Sequence, residues 1–181
     1  MKDDYCDVLL STFNGEEYLE EQLKSLLSQT YEKLNILVRD DGSSDETKSI
    51  LYLYKKKYPT KIKIIEDEKG NLGPKYSFEI LMIKSKSKFI AFCDQDDIWL
   101  PQKLERALKL IQKNDLPKIY FSRTTIVDER GNILTKSGLV KKEITFRNSL
   151  IQSIGGGNTL CLNNSSFHII RTATKNYSKK L

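Results

Sequence analysis

Residues 89–97 have the sequence FIAFCDQDD, in which five consecutive apolar residues are followed by four polar ones, three of them aspartates. A continuous apolar run of this length is typical of a strand at the centre of a parallel sheet, where both faces are covered. In such sheets, ligands bind at the carboxyl ends of the strands. The pattern therefore predicts a central strand over 89–93 and a functional loop over 94–97.

Strand and helix patterns alternate on both sides of this stretch. Further strands are predicted at residues 6–10, 34–38, 62–65 and 118–121. Leucines at 19, 23, 26 and 27 are spaced as on one face of a helix. Ser43 and Glu46 have the spacing of a capping box, which predicts the start of a second helix there. The alternation predicts an α/β fold, with a mostly parallel sheet flanked by helices.

Length and composition set the class of protein. The 181 residues suffice for one ordinary domain, and 39% apolar with 30% charged residues is typical of a folded globular chain. The sequence contains no apolar run of the roughly 18 residues that a membrane span requires. Its three cysteines are widely separated and argue against a disulfide framework or a zinc site. We therefore expect a cytoplasmic protein.

The net charge of +6 is concentrated in residues 141–181, where seven Lys and Arg residues are opposed by one acid, Glu143. A solvated basic face explains such a stretch, and so does a surface that contacts anionic lipid or an anionic substrate. Nucleic acid is the least favoured partner, because the sequence shows no zinc-finger spacing, RNP-like motif or helix-turn-helix.

The acidic loop at 94–97 suggests a divalent-metal site. Three carboxylates within four residues repel one another unless a cation neutralises them. Mg²⁺ and Mn²⁺ prefer hard oxygen ligands, and an ion held by one or two carboxylates can bind a diphosphate. The common glycine-rich phosphate loops are absent from the sequence. A solvated turn in which Asp97 caps the following helix is the alternative, and it stays open here.

Several motifs, in order along the chain, resemble family 2 glycosyltransferases, which are enzymes of the GT-A fold. They are VLLSTFNG at 8–15, VRDDGSSDET at 38–47, NLG at 71–73 and FCDQDDIWLPQKL at 92–104. The last motif is similar to the branch that includes bacterial rhamnosyltransferases of cell-surface polysaccharides. The segment GGGNT at 155–159 is similar to that branch's acceptor-side segment.

The resemblance implies a GT-A fold, a Rossmann-like mostly parallel sheet flanked by helices with a smaller mixed acceptor-side portion. Residues 1–115 would be the donor-binding subdomain, and 116–181 an incomplete acceptor-side subdomain of the same domain. The implied activity is inverting transfer of a sugar from a TDP-, UDP- or GDP-linked donor to a glycan or lipid-linked acceptor. Mn²⁺ or Mg²⁺ is the implied cofactor. The basic C-terminal stretch would contact the inner face of the membrane peripherally.

The resemblance also implies site residues in three groups. The nucleotide sugar would be bound by Ser11, Thr12, Asn14, Asp40, Asp41 and Asp94. Among these, Asp41 would accept a hydrogen bond from the base or ribose, and Asp40 would shape its loop. The divalent ion would be held by Asp96 and Asp94. Gly156, Gly157 and Asn158 would lie on the acceptor side.

The catalytic residue is unknown from the sequence. An inverting enzyme needs a carboxylate that accepts the acceptor's proton, yet no Asp or Glu follows Glu143. We expect the base beyond Leu181, in a chain truncated relative to the family. His168 is a weak substitute, since a lone histidine among apolar residues is more often structural. A nucleotide-sugar binding module without transfer activity and a sugar-nucleotide pyrophosphorylase stay open as alternatives.

Overall fold

The computed structural model describes residues 2–67, 69–138 and 155–178. Its strands are β1 (Lys2–Thr12), β2 (Leu34–Asp40), β3 (Ile62–Ile64), β4 (Ser87–Cys93), β5 (Ile119–Tyr120), β6 (Thr125–Val127), β7 (Ile133–Lys136) and β8 (Cys161–Asn163). Its helices are α1 (Glu16–Leu27), α2 (Thr47–Lys57), α3 (Pro74–Lys84), α4 (Lys103–Ile111) and α5 (Asn164–Ser178). A 3-10 turn covers Gly157–Thr159. The predicted α/β fold is confirmed.

Six of the described strands form one sheet in the order β3-β2-β1-β4-β8-β5. β3, β2, β1 and β4 are parallel, whereas β8 runs antiparallel to both β4 and β5. β6 and β7 form a separate antiparallel hairpin. The sheet is therefore mostly parallel, as the sequence predicts. β8, from near the end of the chain, therefore lies directly beside β4, the strand that precedes the acidic loop.

Both faces of the sheet are covered, which explains the continuous apolar runs. Val8 and Leu10 of β1 belong to a core shared with α1, α2 and α4. Leu9 points to the other face, where it packs with residues of α3 and with Phe167 of α5. Each fully buried aliphatic side chain contributes about 1.5–3 kcal/mol relative to an exposed one. This two-sided burial fixes the register of the central strands and the positions of the loops that follow them.

Two helix starts differ from the sequence prediction. α2 begins at Thr47 with Glu46 at the N-cap position, so the predicted capping box is wrong. The Ser43 hydroxyl does not cap α2, because it donates to Asp40 and accepts from the backbone N–H of Asn14 in the loop after β1. α4 begins at Lys103 with Gln102 at the N-cap position, so Asp97 lies too many residues before the helix to cap it.

The parallel strands β1, β2 and β4 end at one edge of the sheet, which we call the carboxyl edge. In the register of the sheet, Thr12 lies opposite Asp40, and Leu10 lies opposite Cys93. The loops that leave these three strands therefore start side by side.

Of the helices that the structure describes, none is long and apolar enough to cross a membrane.

Candidate functional site

The loop after β1 is fastened to the loop after β2. The side-chain oxygen of Asn14 accepts from the N–H of Ser44 at 2.9 Å, and the N–H of Gly15 donates to the hydroxyl of Thr47 at 2.8 Å. Asn14 has a φ of +46°, in the left-handed region that asparagine tolerates better than most residues. The structure therefore gives Asn14 a role in joining two loops.

Thr12 and Asp40 are engaged with each other. The Thr12 hydroxyl is buried and donates to Asp40 Oδ1 at 3.2 Å. Asp40 also accepts from the N–H of Gly42 at 3.2 Å and of Ser43 at 2.9 Å. These bonds close the turn after β2. Ser11 is half-buried at the same edge.

Asp41 is almost fully occupied by protein donors. Its side chain accepts from Arg39 Nη1 at 2.6 Å and from the N–H groups of Leu72 and Gly73 at 2.9 and 2.7 Å. Burial alone would raise the pKa of Asp41, but these hydrogen bonds outweigh it and lower the pKa. Asp41 thus holds the 71–73 loop against β2. Its expected contact with a base or ribose stays a prediction, restricted to the lone pairs that these donors leave.

Arg39 is a residue that sequence reasoning missed. Only 1% of it is exposed, and it follows three apolar residues, 36–38, in β2. It binds Asp67 through Nε at 2.8 Å and Nη2 at 3.0 Å, and donates to the Ser77 hydroxyl at 2.7 Å. A buried guanidinium requires such partners, so an arginine inside a strand was a usable signal.

The acidic loop, residues 94–97, is fastened to the loop after β1 through Gln95. Its side-chain amide forms two hydrogen bonds with the backbone of Phe13, accepting from the N–H at 2.8 Å and donating to the carbonyl at 3.1 Å. A Cβ on Gly15 would lie only 2.6 Å from Gln95 Oε1, so a larger residue there would displace the Gln95 amide from Phe13. Phe13 itself keeps 44% of its surface exposed at this edge.

The carboxylates of the acidic loop receive fewer hydrogen bonds from the protein than Asp41 does. The pKa of Asp94 is raised by desolvation and by repulsion from Asp97 and Asp96. The pKa of Asp97 is also raised, chiefly by desolvation, although a hydrogen bond from Asn158 opposes the shift. Asp96 lies exposed between them. The negative charge of this loop is therefore only partly neutralised by the protein.

These residues fit a divalent ion of the kind that also binds phosphate. Within the described ranges, no group of three or more His, Cys, Asp or Glu side chains is arranged to hold a metal. Mg²⁺ and Mn²⁺ at phosphate sites use one or two carboxylates and complete their shell with phosphate oxygens and water. Asp94 and Asp96 supply that donor set, and the repulsion that Asp94 experiences from Asp96 and Asp97 favours a cation beside it.

The turn at residues 156–159 lies against the acidic loop. Asn158 Nδ2 donates to Asp97 at 2.6 Å, and the Asn158 carbonyl accepts from Lys103 Nζ at 2.8 Å. A Cβ on Gly156 would lie 2.5 Å from Asn158 Oδ1, whereas one on Gly157 would meet open space. Of the predicted acceptor-side residues, Asn158 is thus bonded to the acidic loop and to α4, whereas Gly156 and Gly157 lie exposed in the turn.

A cleft of about 810 Å³ lies elsewhere on the molecule. It is lined by Asp7, Asn35 and Ser87, which lie near the amino ends of the parallel strands, and by several lysines. The cleft is therefore at the opposite edge of the sheet from the acidic loop. The carboxyl edge stays the candidate site, because the polar loops and the partly neutralised carboxylates meet there.

Comparison of the sequence with family models identifies the family of this chain. The family model described as "Glycosyl transferase family 2" matches residues 7–176. The chain belongs to glycosyl transferase family 2. The family 2 glycosyltransferase expected from the motifs is thereby confirmed. The rhamnosyltransferase branch stays a prediction.

Two relatives of this family 2 glycosyltransferase show how much of a longer protein it matches. An Escherichia coli protein named UDP-Glc:alpha-D-GlcNAc-diphosphoundecaprenol beta-1,3-glucosyltransferase is 30% identical over 158 residues, which is 86% of this chain and 58% of that protein. An uncharacterised glycosyltransferase of Nostoc sp. is 32% identical over 109 residues, 60% of this chain and 33% of that protein. The chain thus spans between a third and three fifths of these relatives.

Solved structures confirm the fold. S. aureus TarS 1-349 in complex with UDP superposes with a TM-score of 0.56 at 26% identity, covering 64% of this chain and 34% of that one. The mannosyltransferase PcManGT from Pyrobaculum calidifontis, in complex with GDP-Man and Mn²⁺, has a TM-score of 0.65 at 17% identity, covering 91% and 46%. At that identity the second likeness shows the fold alone. The predicted GT-A architecture is confirmed.

Proposed function

We propose that this chain forms the donor site and part of the acceptor side of an inverting, divalent-metal-dependent glycosyltransferase. Residues 1–115 would bind the nucleotide sugar, and residues 116–181 would contribute to the acceptor side. The observation that carries the proposal is the acidic loop after β4. Its Asp94 and Asp97 have a raised pKa, and hydrogen bonds join the loop both to the loop after β1 and to the turn at 156–159.

A UDP-linked sugar is the donor best supported. The E. coli relative is named for UDP-Glc, and the TarS structure holds UDP. TDP- and GDP-linked sugars are the next donors to test. Rhamnose as the transferred sugar rests only on the likeness of the 92–104 motif.

The loops at the carboxyl edge divide the work of binding. Ser11 and Asp94 would contact the ribose, and the exposed ring of Phe13 offers a face on which a base can stack. Thr12, Asn14, Asp40 and Asp41 would act mainly by holding these loops in place, because their side chains are bonded within the protein.

Asp96 and Asp94 would hold the divalent ion. A bound ion of this kind stabilises the negative charge that develops on a diphosphate leaving group. The protein's own part is to place the two carboxylates directly after a central strand, where desolvation and repulsion from Asp96 and Asp97 disfavour the charged form of Asp94 unless a cation is bound. We assign the general base to no residue of this chain.

The acceptor would be a glycan or a lipid-linked diphosphate sugar. The E. coli relative is named for a sugar linked to diphosphoundecaprenol. Basic residues of the 141–181 stretch would attract such an anionic acceptor and the anionic inner face of a membrane. Residues 141–154 and 179–181 of this stretch lie outside the described ranges, so its contact rests on charge alone.

Calorimetric titration tests the donor site. The chain is titrated with UDP, TDP and GDP, each with and without Mn²⁺, next to the variants Asp96→Asn and Asp115→Asn. Asp115 is an exposed aspartate remote in sequence from the acidic loop and serves as the matched control. We expect Mn²⁺-dependent binding of one nucleotide. Asp96→Asn should weaken it by more than the roughly tenfold typical of an outer-shell change, and Asp115→Asn should not weaken it.

Equal binding by wild type and Asp96→Asn would contradict the proposed metal site, and no nucleotide binding at all would contradict the donor site. Release of glucose from UDP-glucose, or transfer to a lipid-diphosphate acceptor, separates an enzyme from a nucleotide-sugar binding module. Family membership argues against the pyrophosphorylase alternative.

A further inference from the structure

Lys103 is placed where a cation is costly. It is the first residue of α4, and the N-terminus of a helix carries partial positive charge. Burial lowers the pKa of its ammonium group. The ammonium nitrogen lies 3.6 Å from the centroid of the Trp99 ring and donates to the Asn158 carbonyl at 2.8 Å. These contacts compensate for the position and fix the direction of the side chain.

Asn158 is bonded to groups of opposite charge through its side chain and its backbone. Its side-chain amide nitrogen donates to the Asp97 carboxylate at 2.6 Å, while its backbone carbonyl oxygen accepts from Lys103. Asp97 and Asn158 are 61 residues apart in the chain, so only the tertiary fold brings them together. We call Asp97, Lys103 and Asn158 the Asn158 clamp.

The clamp acts on a turn, residues 156–159, that is closed by hydrogen bonds of its own. The N–H of Thr159 donates to the Gly156 carbonyl at 3.0 Å, and the N–H of Leu160 donates to the Gly157 carbonyl at 3.0 Å. β8, which follows directly, pairs with β4. A shift of Asn158 would therefore loosen the turn at the point where it enters the sheet.

Lys103 of the clamp also interacts electrostatically with the carboxylates of the acidic loop. Lys103 is attracted by Asp97 and Asp94, although it forms no direct ion pair with either in the described part of the chain. The buried indole N–H of Trp99 has no hydrogen-bond partner among the described residues. A divalent cation beside Asp94 would compete with Lys103 for the same negative charge. Occupation of the donor site would thereby act on the clamp.

We propose that Lys103 is a positioning residue that, together with Asp97, ties the turn at 156–159 to the acidic loop and thereby couples the donor side of the site to the acceptor side. The clamp is a property of the protein without ligand. The coupling rests on the proposed function, since it requires a nucleotide and a cation at the acidic loop. Because such coupling is reciprocal, an acceptor bound at the turn would strengthen donor binding by the same factor.

Hydrogen exchange of the ligand-free chain tests the clamp. Peptides that contain Thr159 and Leu160 are followed by mass spectrometry in wild type, Lys103→Met, Asp97→Ala and Lys103→Arg. Lys109→Met, an exposed lysine on the same helix, is the control for loss of a charge. We expect about tenfold faster exchange in Lys103→Met and Asp97→Ala, wild-type exchange in Lys109→Met, and partial rescue in Lys103→Arg. Unchanged exchange in Lys103→Met would overturn the clamp.

The coupling is tested by adding Mn²⁺ and UDP. Trp99 is the only tryptophan of the chain, so its emission reports on this loop. In wild type we expect a change in Trp99 emission and at least about threefold slower exchange at Thr159 and Leu160. In Lys103→Met both responses should disappear while calorimetric UDP binding stays measurable. Equal responses in the two proteins would overturn the coupling. Absence of UDP binding in wild type would overturn the proposed function, and the ligand-free experiment would still decide the clamp.

Discussion

Carboxylates at the two ends of the same sheet have pKa values shifted in opposite directions, Asp7 being buried and Asp94 exposed. Near the amino ends of the strands, Asp7 accepts from Asn35 Nδ2 at 2.7 Å and from the hydroxyls of Ser85 and Ser87 at 2.7 and 2.6 Å. Burial tends to raise its pKa, but these bonds and two backbone N–H groups outweigh burial and lower the pKa. At the carboxyl edge, the pKa of Asp94 is raised.

The difference separates carboxylates that stabilise the fold from those left for a ligand. Asp7 has all its compensation from the protein, and so does Asp41, even though Asp41 lies at the carboxyl edge. Asp94 and Asp97 have less compensation: Lys103 attracts both and Asn158 donates one hydrogen bond to Asp97, yet desolvation keeps the pKa of both raised. Position at the ligand-binding edge of a sheet is therefore not sufficient to identify a ligand-binding carboxylate. The supply of protein donors decides.

The largest effect on stability is expected from Arg39→Met. The substitution leaves Asp41 and Asp67 without their cation, and breaking a buried ion pair from one side costs about 3–5 kcal/mol. Urea unfolding measures the loss. Arg106→Met removes an exposed arginine on α4 and should change the free energy of unfolding by less than about 0.5 kcal/mol. A similar small change in Arg39→Met would show that Asp41 does not depend on this partner.

The next largest effect is expected from Asp7→Asn. An amide retains the shape but replaces one acceptor oxygen with a donor, so hydroxyl and N–H groups around it lose a charged acceptor. We expect a loss of about 2–3 kcal/mol in urea unfolding at neutral pH. Asp115→Asn, at an exposed aspartate, is the matched control and should be nearly neutral. Equal stability of the two variants would remove Asp7 from the class of structural carboxylates.

The pH dependence of stability should reveal the same carboxylate. The pKa of Asp7 is lower in the folded than in the unfolded chain, so its contribution is present above the unfolded pKa, about 3.9, and is lost as pH falls through the folded pKa. The stability gap between wild type and Asp7→Asn should therefore shrink as pH falls from 7 towards 2. Urea titrations across this range measure the gap, and a constant gap would contradict a lowered pKa.

The smallest effect on stability, and of opposite sign, is expected from Asp94→Asn. The raised pKa of Asp94 means that its charged form is disfavoured in the fold, so its contribution is lost as pH rises through the folded pKa. Removing the charge should stabilise the ligand-free chain at neutral pH by up to about 0.5 kcal/mol, because solvent screens this partly exposed group. The same variant should lose Mn²⁺-dependent nucleotide binding in calorimetry. Destabilisation of Asp94→Asn together with unchanged nucleotide binding would show that Asp94, like Asp7, is a structural carboxylate.

Much of the fold could be predicted from the sequence, because local patterns carried it. Apolar runs at 6–10, 34–38 and 89–93 predicted the strands that became β1, β2 and β4. The segment DERGN at 128–132, rich in turn-forming residues, joins β6 to β7. The capping box at Ser43 failed, since a hydroxyl three residues before an acid also fits a tight turn, and Asp40 was the stronger partner. The antiparallel β8 carried too short a pattern to be placed beside β4.

The sequence by itself determined the alternation of strands and helices and the acidic character of the loop after β4, because both depend on residues that are neighbours in the chain. Only the tertiary structure decided which polar groups are satisfied. The bonds from Gln95 to Phe13 and from Asn158 to Asp97 join residues 82 and 61 positions apart. Whether a carboxylate is free for a ligand depends on such distant donors, and packing of the whole sheet brings them within reach.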